Sequence, residues 1–215
     1  MSDVVRLSAV THRQGNNAAL VDGEVRPAGF EFDWVDVPVL PQAFRRMVRT
    51  LEFDVSEMAV TTYLCAREHG VRFTALPVFL VRGFHHGAIL HNTKADIAGP
   101  GDLAVEAALA DLERTGLYPI NHLVVIRDEV LDAHPGAAAA IYEAFVESKD
   151  RYVATRPASE PAGLPYRRVH DLTGRDPLPY GIEANRPMLE RLMRHAVDQR
   201  ILTRPVPVES LFAAV

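Results

Sequence analysis

The sequence contains a single cysteine, Cys65, among its 215 residues. One cysteine cannot form an internal disulfide, so nothing in the chain requires an oxidising compartment. Cys65 lies in a stretch of helical character between Glu57 and His69, and we expect it to be a small buried hydrophobic side chain. A catalytic thiolate needs an activating neighbour, and the sequence places none beside it.

Long apolar runs are also absent. No segment has the roughly 18 consecutive apolar residues of a membrane-spanning helix. Residues 1–6 lack the basic start, apolar run and small-residue cleavage site of a signal peptide. We therefore expect a cytoplasmic protein that has no membrane partner.

Positive charge is in slight deficit. There are 23 basic and 28 acidic residues, which gives a net charge of -5, and the basic residues form no cluster. This balance gives no reason to expect nucleic acid as a partner. The glycine-rich nucleotide-binding motifs and the GxSxG motif of serine hydrolases do not occur, so those two functions have no support.

A metal site has only weak support in the sequence. Carboxylate and imidazole ligands could come from a scattered set of residues: Glu57, His85, His86, His91 and His122. No tight pattern such as His-Glu-x-x-His joins them, and their spacings fit no zinc module. We expect no metal ion at this site.

Strand and helix patterns alternate along the chain. Strands are predicted over residues 4–10, 30–37, 53–55, 73–81, 88–91 and 123–126. Helices are predicted over residues 41–51, 57–69, 105–115, 135–155, 185–201 and 208–213, with a long surface connection over 156–178. Ser56 and Asn185 are predicted N-caps, and Gly70 a helix stop. Alternation of this kind predicts an α/β fold: a three-layer, mainly parallel sheet with helices on both faces.

Four short segments carry a resemblance to one enzyme family. They are residues 54–59 (DVSEMA), 82–86 (RGFHH), 115–122 (TGLYPINH) and 179–187 (PYGIEANRP). Together they resemble the 4,5-dihydroxyphthalate decarboxylase family. The resemblance implies lobe one of a type II periplasmic-binding-protein fold, in which a second lobe is inserted between the N-terminal and C-terminal parts of the first.

The spacing of these segments leaves no room for that second lobe. Residues 1–103 are similar to the N-terminal part of lobe one and residues 114–215 to its C-terminal part. Only residues 104–113 lie between them, whereas a lobe needs on the order of 100 residues. A single lobe exposes its cleft face, so two chains could face each other, and a homo-oligomer is one expectation.

The family's chemistry is the loss of CO2 from a hydroxylated aromatic dicarboxylate. Such a reaction needs a proton donor at the departing ring carbon, an acceptor for a phenolic proton and a cation for the retained carboxylate. The protonated ring accepts the electrons itself, so no cofactor is required. The resemblance implies a lyase of phthalate degradation, within aromatic compound catabolism, that converts 4,5-dihydroxyphthalate to protocatechuate.

The resemblance also implies roles for particular residues. His122 is the expected proton donor, His86 and Glu57 handle the phenol, and Arg82 holds the retained carboxylate. Further substrate contacts are expected from His85, Tyr180, Asn185 and Arg186. His85 departs from the family pattern, which has arginine at that position.

Each of these residues also has a purely structural interpretation. Glu57 could interact with a helix dipole in an exposed first turn, and His122 could be a core histidine with its hydrogen bonds satisfied. At the level of the whole chain, two alternatives to catalysis stay open. One is a non-catalytic small-molecule binding protein of the same fold, and the other is an inactive, truncated form.

Overall fold

The structure is a computed structural model, and it describes residues 4–83, 110–155 and 166–215. His85, His86, His91 and the strand predicted over 88–91 lie outside the described residues. So does most of the helix predicted over 105–115, of which residues 110–115 are described and helical.

Five strands form one mixed sheet. They are β1 (Val5–Val10), β2 (Phe30–Trp34), β3 (Val55–Ala59), β4 (Phe73–Arg82) and β5 (Ile120–Arg127). Their order across the sheet is β2-β1-β3-β5-β4. Strand β1 pairs in parallel with β2 and β3, whereas β5 is antiparallel to both β3 and β4. Four strands therefore run in one direction, and β5 runs against them.

Besides the helical residues 110–115, the described residues contain seven helices, and helices cover both faces of the sheet. They are α1 (Ala18–Val21), α2 (Leu40–Thr50), α3 (Val60–Glu68), α4 (Asp128–Ala133), α5 (Ala137–Thr155), α6 (Tyr166–Thr173) and α7 (Arg186–Asp198). Short 3₁₀ turns occur at Gly15–Asn17, Glu183–Asn185 and Val208–Leu211. The predicted α/β fold is confirmed. None of the helices described is long and apolar enough to cross a bilayer.

Two of the most deeply buried segments lie on neighbouring strands at one side of the sheet. Residues 75–80 of β4 and 123–126 of β5 are buried almost completely. Strands that are covered on both faces are usually apolar at every position. Both of these segments are apolar at every position. A second, smaller cluster consists of Leu112, Tyr118, Val169 and Leu178.

The helix predicted to begin at Glu57 with Ser56 as its N-cap is wrong. Strand β3 continues to Ala59, and α3 begins only at Val60. Residues 55–58 lie between β1 and β5 and are buried, so sheet pairing overrides the local helical pattern. The predicted stop at Gly70 is confirmed, because this glycine follows α3 with φ +74° and donates to the Arg67 carbonyl over 3.0 Å.

The predicted burial of Cys65 is wrong as well. Its side chain is exposed and free, on the outer side of α3. The helix packs onto the core through Tyr63, Leu64 and Ala66 instead. Three further helices, α1, α4 and α6, have no counterpart in the prediction. Helix α6 lies within the predicted surface connection because its eight residues are mainly polar and too few to show a clear apolar period.

Candidate functional site

Four strand ends meet at one edge of the sheet. The C-terminal ends of β1, β3 and β4 lie there beside the N-terminal end of β5. Ligands of open α/β sheets bind at the carboxyl ends of the strands. Five polar residues form a hydrogen-bonded group at this edge, which we call the edge cluster: Thr11, His12, Asn17, Glu57 and His122.

Glu57 is the buried centre of the edge cluster. Only 1% of the residue is exposed. Its Oε2 atom accepts hydrogen bonds from the Thr11 hydroxyl over 2.6 Å and from the His12 backbone N–H over 3.1 Å. Its Oε1 atom lies 2.6 Å from His122 Nδ1. Since a buried charge is costly unless hydrogen-bonded, these partners account for a carboxylate inside the sheet. The alternative of an exposed first helical turn is wrong.

His122 lies near the start of β5, between Ala59 of β3 and Val81 of β4. Its side chain is 26% exposed, and its ring packs edge-on against Phe44 with centroids 5.3 Å apart. Because Nδ1 contacts Glu57, Nε2 is the nitrogen that remains for another group. A carboxylate that orients an imidazole in this way is a common arrangement at sites of proton transfer.

Two of the residues predicted as catalytic, Glu57 and His122, are thus in contact, while His86 and the predicted substrate contact His85 lie outside the described residues. Sequence reasoning missed Thr11, His12 and Asn17. The signal that could have found them is the polar stretch directly after the first strand, because the end of a parallel strand lines the ligand crevice.

Arg82 ends β4 and is 4% exposed. Its Nη1 atom donates to the Tyr118 carbonyl over 2.9 Å, and its Nη2 atom donates to the Asn185 side-chain oxygen and to the Pro179 carbonyl. The guanidinium also lies 5.5 Å from the centre of the Phe79 ring. These contacts join β4 to the segments before β5 and α7. Carboxylate binding by Arg82 stays a prediction.

Asn185 occupies the N-cap position of α7, but its side chain makes no capping hydrogen bond, so that part of the prediction is wrong. Its Nδ2 atom donates instead to the carbonyls of Pro179 and Gly181, over 2.9 and 2.7 Å. The side chain is therefore used to hold the preceding turn, with Arg82 as its third partner.

The two other predicted substrate contacts have protein partners. Tyr180 is buried, and its hydroxyl accepts a hydrogen bond of 3.3 Å from Asn16. Arg186 forms ion pairs with Glu183 and Glu209, over 2.5 and 2.7 Å. Substrate binding by Tyr180, Asn185 and Arg186 stays a prediction.

A cavity of about 370 Å³ lies on the Arg82 side of this edge. Arg82, Tyr118 and Asn185 line it together with Met188 and residues of α6. This volume lies within the range of sites that take small organic molecules. Among the residues described, no three histidine, cysteine or acidic side chains are grouped so as to hold a metal ion.

Comparison with known proteins gives matches at the level of structure. No family model matches the sequence, and no curated protein matches it. A periplasmic sulfonate-binding protein of Methylobacillus flagellatus matches with TM-score 0.58 and 12% identity, over 98% of this chain and 91% of that one.

Two further sulfonate-binding proteins match as well. The alkanesulfonate-binding protein of Xanthomonas axonopodis, solved with bound MOPS, gives TM-score 0.52 and 14% identity over the whole of both chains. The periplasmic aliphatic sulphonate binding protein of Escherichia coli gives 0.50 and 9% identity, over 98% of this chain and 92% of that one. Sequence identities this low show a shared fold and nothing more. None of these three proteins is described as a decarboxylase. The chain has the α/β fold of periplasmic binding proteins.

Proposed function

We propose that the chain binds a small organic molecule at the edge cluster. The observation that carries this proposal is the 2.6 Å contact between Glu57 and His122 at the carboxyl ends of the strands. A buried carboxylate that orients a partly exposed imidazole is costly to build for structure alone. The fold supports the same function, because the three matched proteins are binding proteins by name.

The ligand class that we propose is a small hydroxylated aromatic carboxylate. The buried Phe44 ring lies against His122 and gives the imidazole an aromatic neighbour. Imidazole nitrogen exchanges hydrogen bonds with phenolic hydroxyls, and His122 is the partly exposed imidazole of the edge cluster. The resemblance to the 4,5-dihydroxyphthalate decarboxylase family points to the same class.

Titration calorimetry tests this function with four ligands: 4,5-dihydroxyphthalate, phthalate, protocatechuate and an alkanesulfonate. We expect 4,5-dihydroxyphthalate to bind most tightly. His122→Ala should weaken it by about 10-fold or more, since one hydrogen bond to the ligand is lost. His195→Ala is the matched control, because His195 is an exposed histidine on α7. Affinity for the sulfonate alone, or for none of the four, would contradict the proposal.

A second candidate function is decarboxylation at the same site. The Glu57–His122 pair favours it, because a carboxylate stabilises the imidazolium that would deliver a proton to the ring carbon. In that step the new C–H bond forms at the carbon that bears the carboxylate. The C–CO2 bond then breaks, its electrons restore the aromatic ring, and CO2 leaves.

Release of CO2 together with formation of protocatechuate distinguishes the two functions. If the chain is an enzyme, turnover of 4,5-dihydroxyphthalate should fall by about 10²-fold in His122→Ala, while His195→Ala keeps the wild-type rate. Tight binding of 4,5-dihydroxyphthalate without release of CO2 would mean that the chain is a binding protein and not a decarboxylase. Turnover that is unchanged in His122→Ala would remove His122 from the mechanism.

A further inference from the structure

The orientation of the Asn17 side-chain amide is fixed by two backbone groups, one that can only donate a hydrogen bond and one that can only accept. Asn17 is fully buried, and its Oδ1 atom accepts from the Gln14 backbone N–H over 2.7 Å. Its Nδ2 atom lies 2.9 Å from the His12 carbonyl oxygen, which can only accept. The same Nδ2 atom lies 3.1 Å from the Thr11 hydroxyl, so it donates there too.

The Thr11 hydroxyl has one proton and two acceptors within reach. Glu57 Oε2 lies 2.6 Å away, and the His12 carbonyl lies 3.3 Å away. Asn17 already donates to that carbonyl and to the hydroxyl oxygen. The Thr11 proton is therefore directed to Glu57.

Glu57 receives two donors on one oxygen, from Thr11 and from the His12 backbone. An ionised carboxylate only accepts hydrogen bonds, and both donors at Oε2 fit that form. The other oxygen, Oε1, faces His122 Nδ1 at 2.6 Å and therefore requires a proton on that nitrogen. This leaves Nε2 of the neutral imidazole as a lone-pair acceptor.

From this chain of contacts we infer that Asn17 is a positioning residue that acts through Thr11 and Glu57. It holds His122 in the tautomer with the proton on Nδ1, so that Nε2 accepts a hydrogen bond from a ligand hydroxyl. The inference rests on the proposed function for its ligand and makes that function more specific. The site selects ligands that carry a hydroxyl over anions, such as sulfonates, that offer only acceptors.

The physical basis of this selectivity is the mismatch of two acceptors. A phenolic O–H donates to Nε2, whereas a sulfonate or carboxylate oxygen there would place lone pair against lone pair. Sites built to bind a hydroxyl discriminate against analogues that lack it, because a polar atom of the protein is then left unpaired. Phthalate is the matched analogue, because it keeps both carboxylates of 4,5-dihydroxyphthalate and lacks the hydroxyls.

Nitrogen-15 NMR of the His122 ring tests the positioning role without any ligand. At a pH where the imidazole is neutral, we expect a protonated Nδ1 and an unprotonated Nε2 in the wild type. Without the Thr11 hydrogen bond the Glu57 carboxylate can turn away from Nδ1, so Asn17→Ala and Thr11→Val should both raise the population with the proton on Nε2, and Thr11→Ser should keep the wild-type signals. Thr50→Val is the control, since Thr50 is an exposed threonine at the end of α2.

The outcome is decided even if Asn17→Ala fails to fold, because Thr11→Val and Thr11→Ser alone show whether the hydroxyl sets the tautomer. A wild-type His122 with its proton on Nε2 would overturn the inference. So would Thr11→Val with the ring signals of the wild type.

Calorimetry then tests the ligand class. We expect 4,5-dihydroxyphthalate to bind about 10-fold or more tightly than phthalate, and this preference should shrink in Thr11→Val and persist in Thr11→Ser. Equal affinities in the wild type would overturn the hydroxyl selectivity while leaving ligand binding intact. If neither ligand binds, the proposed function and the ligand class fail together, and the NMR result still decides the role of Asn17.

Discussion

At the scale of single residues, Glu57 is a buried carboxylate whose two oxygen atoms are both used by hydrogen-bond partners. Replacing it with glutamine keeps the shape of the side chain but offers one acceptor oxygen instead of two. That oxygen is needed by Thr11 and His12, so the new amide NH2 would face His122 Nδ1. Nδ1 would then have to accept, and the ring proton would move to Nε2.

We therefore expect Glu57→Gln to reverse the His122 tautomer and to weaken binding of 4,5-dihydroxyphthalate by about 10-fold. Nitrogen-15 NMR and calorimetry measure the two effects on the same sample. Glu143→Gln is the matched control, because Glu143 is an exposed glutamate on α5. Wild-type ring signals in Glu57→Gln would show that the carboxylate does not set the proton position.

Lys149 is a second buried charge, on the inner side of α5. Its ammonium donates to Asp176 over 2.9 Å and lies 3.2 Å from Asp150. Burial lowers the pKa of Lys149, but the two carboxylates outweigh it, and the net effect is a raised pKa. The stability that this lysine contributes is therefore full below the unfolded-state pKa of about 10.4 and is lost as the pH rises through the higher folded-state value.

Urea denaturation of the wild type and of Lys149→Gln measures this contribution. At pH 8 the variant should be less stable by roughly 2 kcal/mol, since charged hydrogen bonds are lost. The difference should shrink above about pH 10.4, as the lysine of the wild type deprotonates. Comparing two proteins at each pH removes the effect of tyrosine ionisation, which both share. A difference that does not vary with pH would mean that packing, not charge, is what the lysine contributes.

At the scale of secondary-structure elements, the 3₁₀ turn Gly15–Asn17 connects the edge cluster to the rest of the fold. A Cβ atom at Gly15 would lie 2.2 Å from the Tyr152 ring of α5, so the turn can pack there only because residue 15 is glycine. The same turn contains Asn17, whose side-chain amide donates to the Thr11 hydroxyl. The approach of this turn to α5 thus helps to place Asn17 beside Thr11.

We expect Gly15→Ala to destabilise the protein by roughly 1–3 kcal/mol, the usual cost of overpacking, and to weaken ligand binding as well. Gly136→Ala is the control, because Gly136 lacks a positive φ and its added Cβ would meet nothing within 4 Å. Thermal unfolding gives the first effect, and calorimetry with 4,5-dihydroxyphthalate gives the second. Normal stability and binding in Gly15→Ala would show that Tyr152 moves aside freely.

The elements differ in how well the sequence predicts them. Residues 75–81 of β4 and 123–126 of β5 are continuous apolar runs, and α5 begins soon after Pro135, so local patterns are sufficient to find all three elements. Strand β3 is misread because it carries Ser56 and Glu57. Ser56 donates to the adjacent Glu57 carbonyl, but the Glu57 carboxylate depends on Thr11, His12 and His122 from other parts of the chain, which no local period reveals.

The site shows the same division. Glu57 and His122 follow from the family resemblance, because their segments match it. Thr11 and Asn17 do not, since they lie about 40 or more positions before Glu57 and join it only once β1 and β3 pair. The contact between Glu57 and His122 likewise depends on the antiparallel register of β3 and β5. Sequence therefore indicates the chemistry of individual residues, and pairing of the strands determines which of them meet.

At the scale of the whole molecule, the described residues form two apolar clusters of very different size. The large cluster holds the sheet, whereas the small one consists of Leu112, Tyr118, Val169 and Leu178. Among the α6 side chains that the structure describes, Val169 belongs to the small cluster, which has four buried residues, whereas β5 lies in the large one. Regions with few buried contacts open locally at lower free energy than the whole fold.

Native-state hydrogen exchange tests this division. We expect the amides of residues 123–126 in β5 to exchange only through global unfolding. The amides of α6 should exchange through a local opening that costs several kcal/mol less, with a weaker dependence on guanidinium, since less surface is exposed. Val169→Ala should lower the opening free energy of α6 and leave exchange in β5 nearly unchanged, because the cavity forms in the small cluster alone. Equal free energies for α6 and β5 in the wild type would instead mean that both clusters unfold as one cooperative unit.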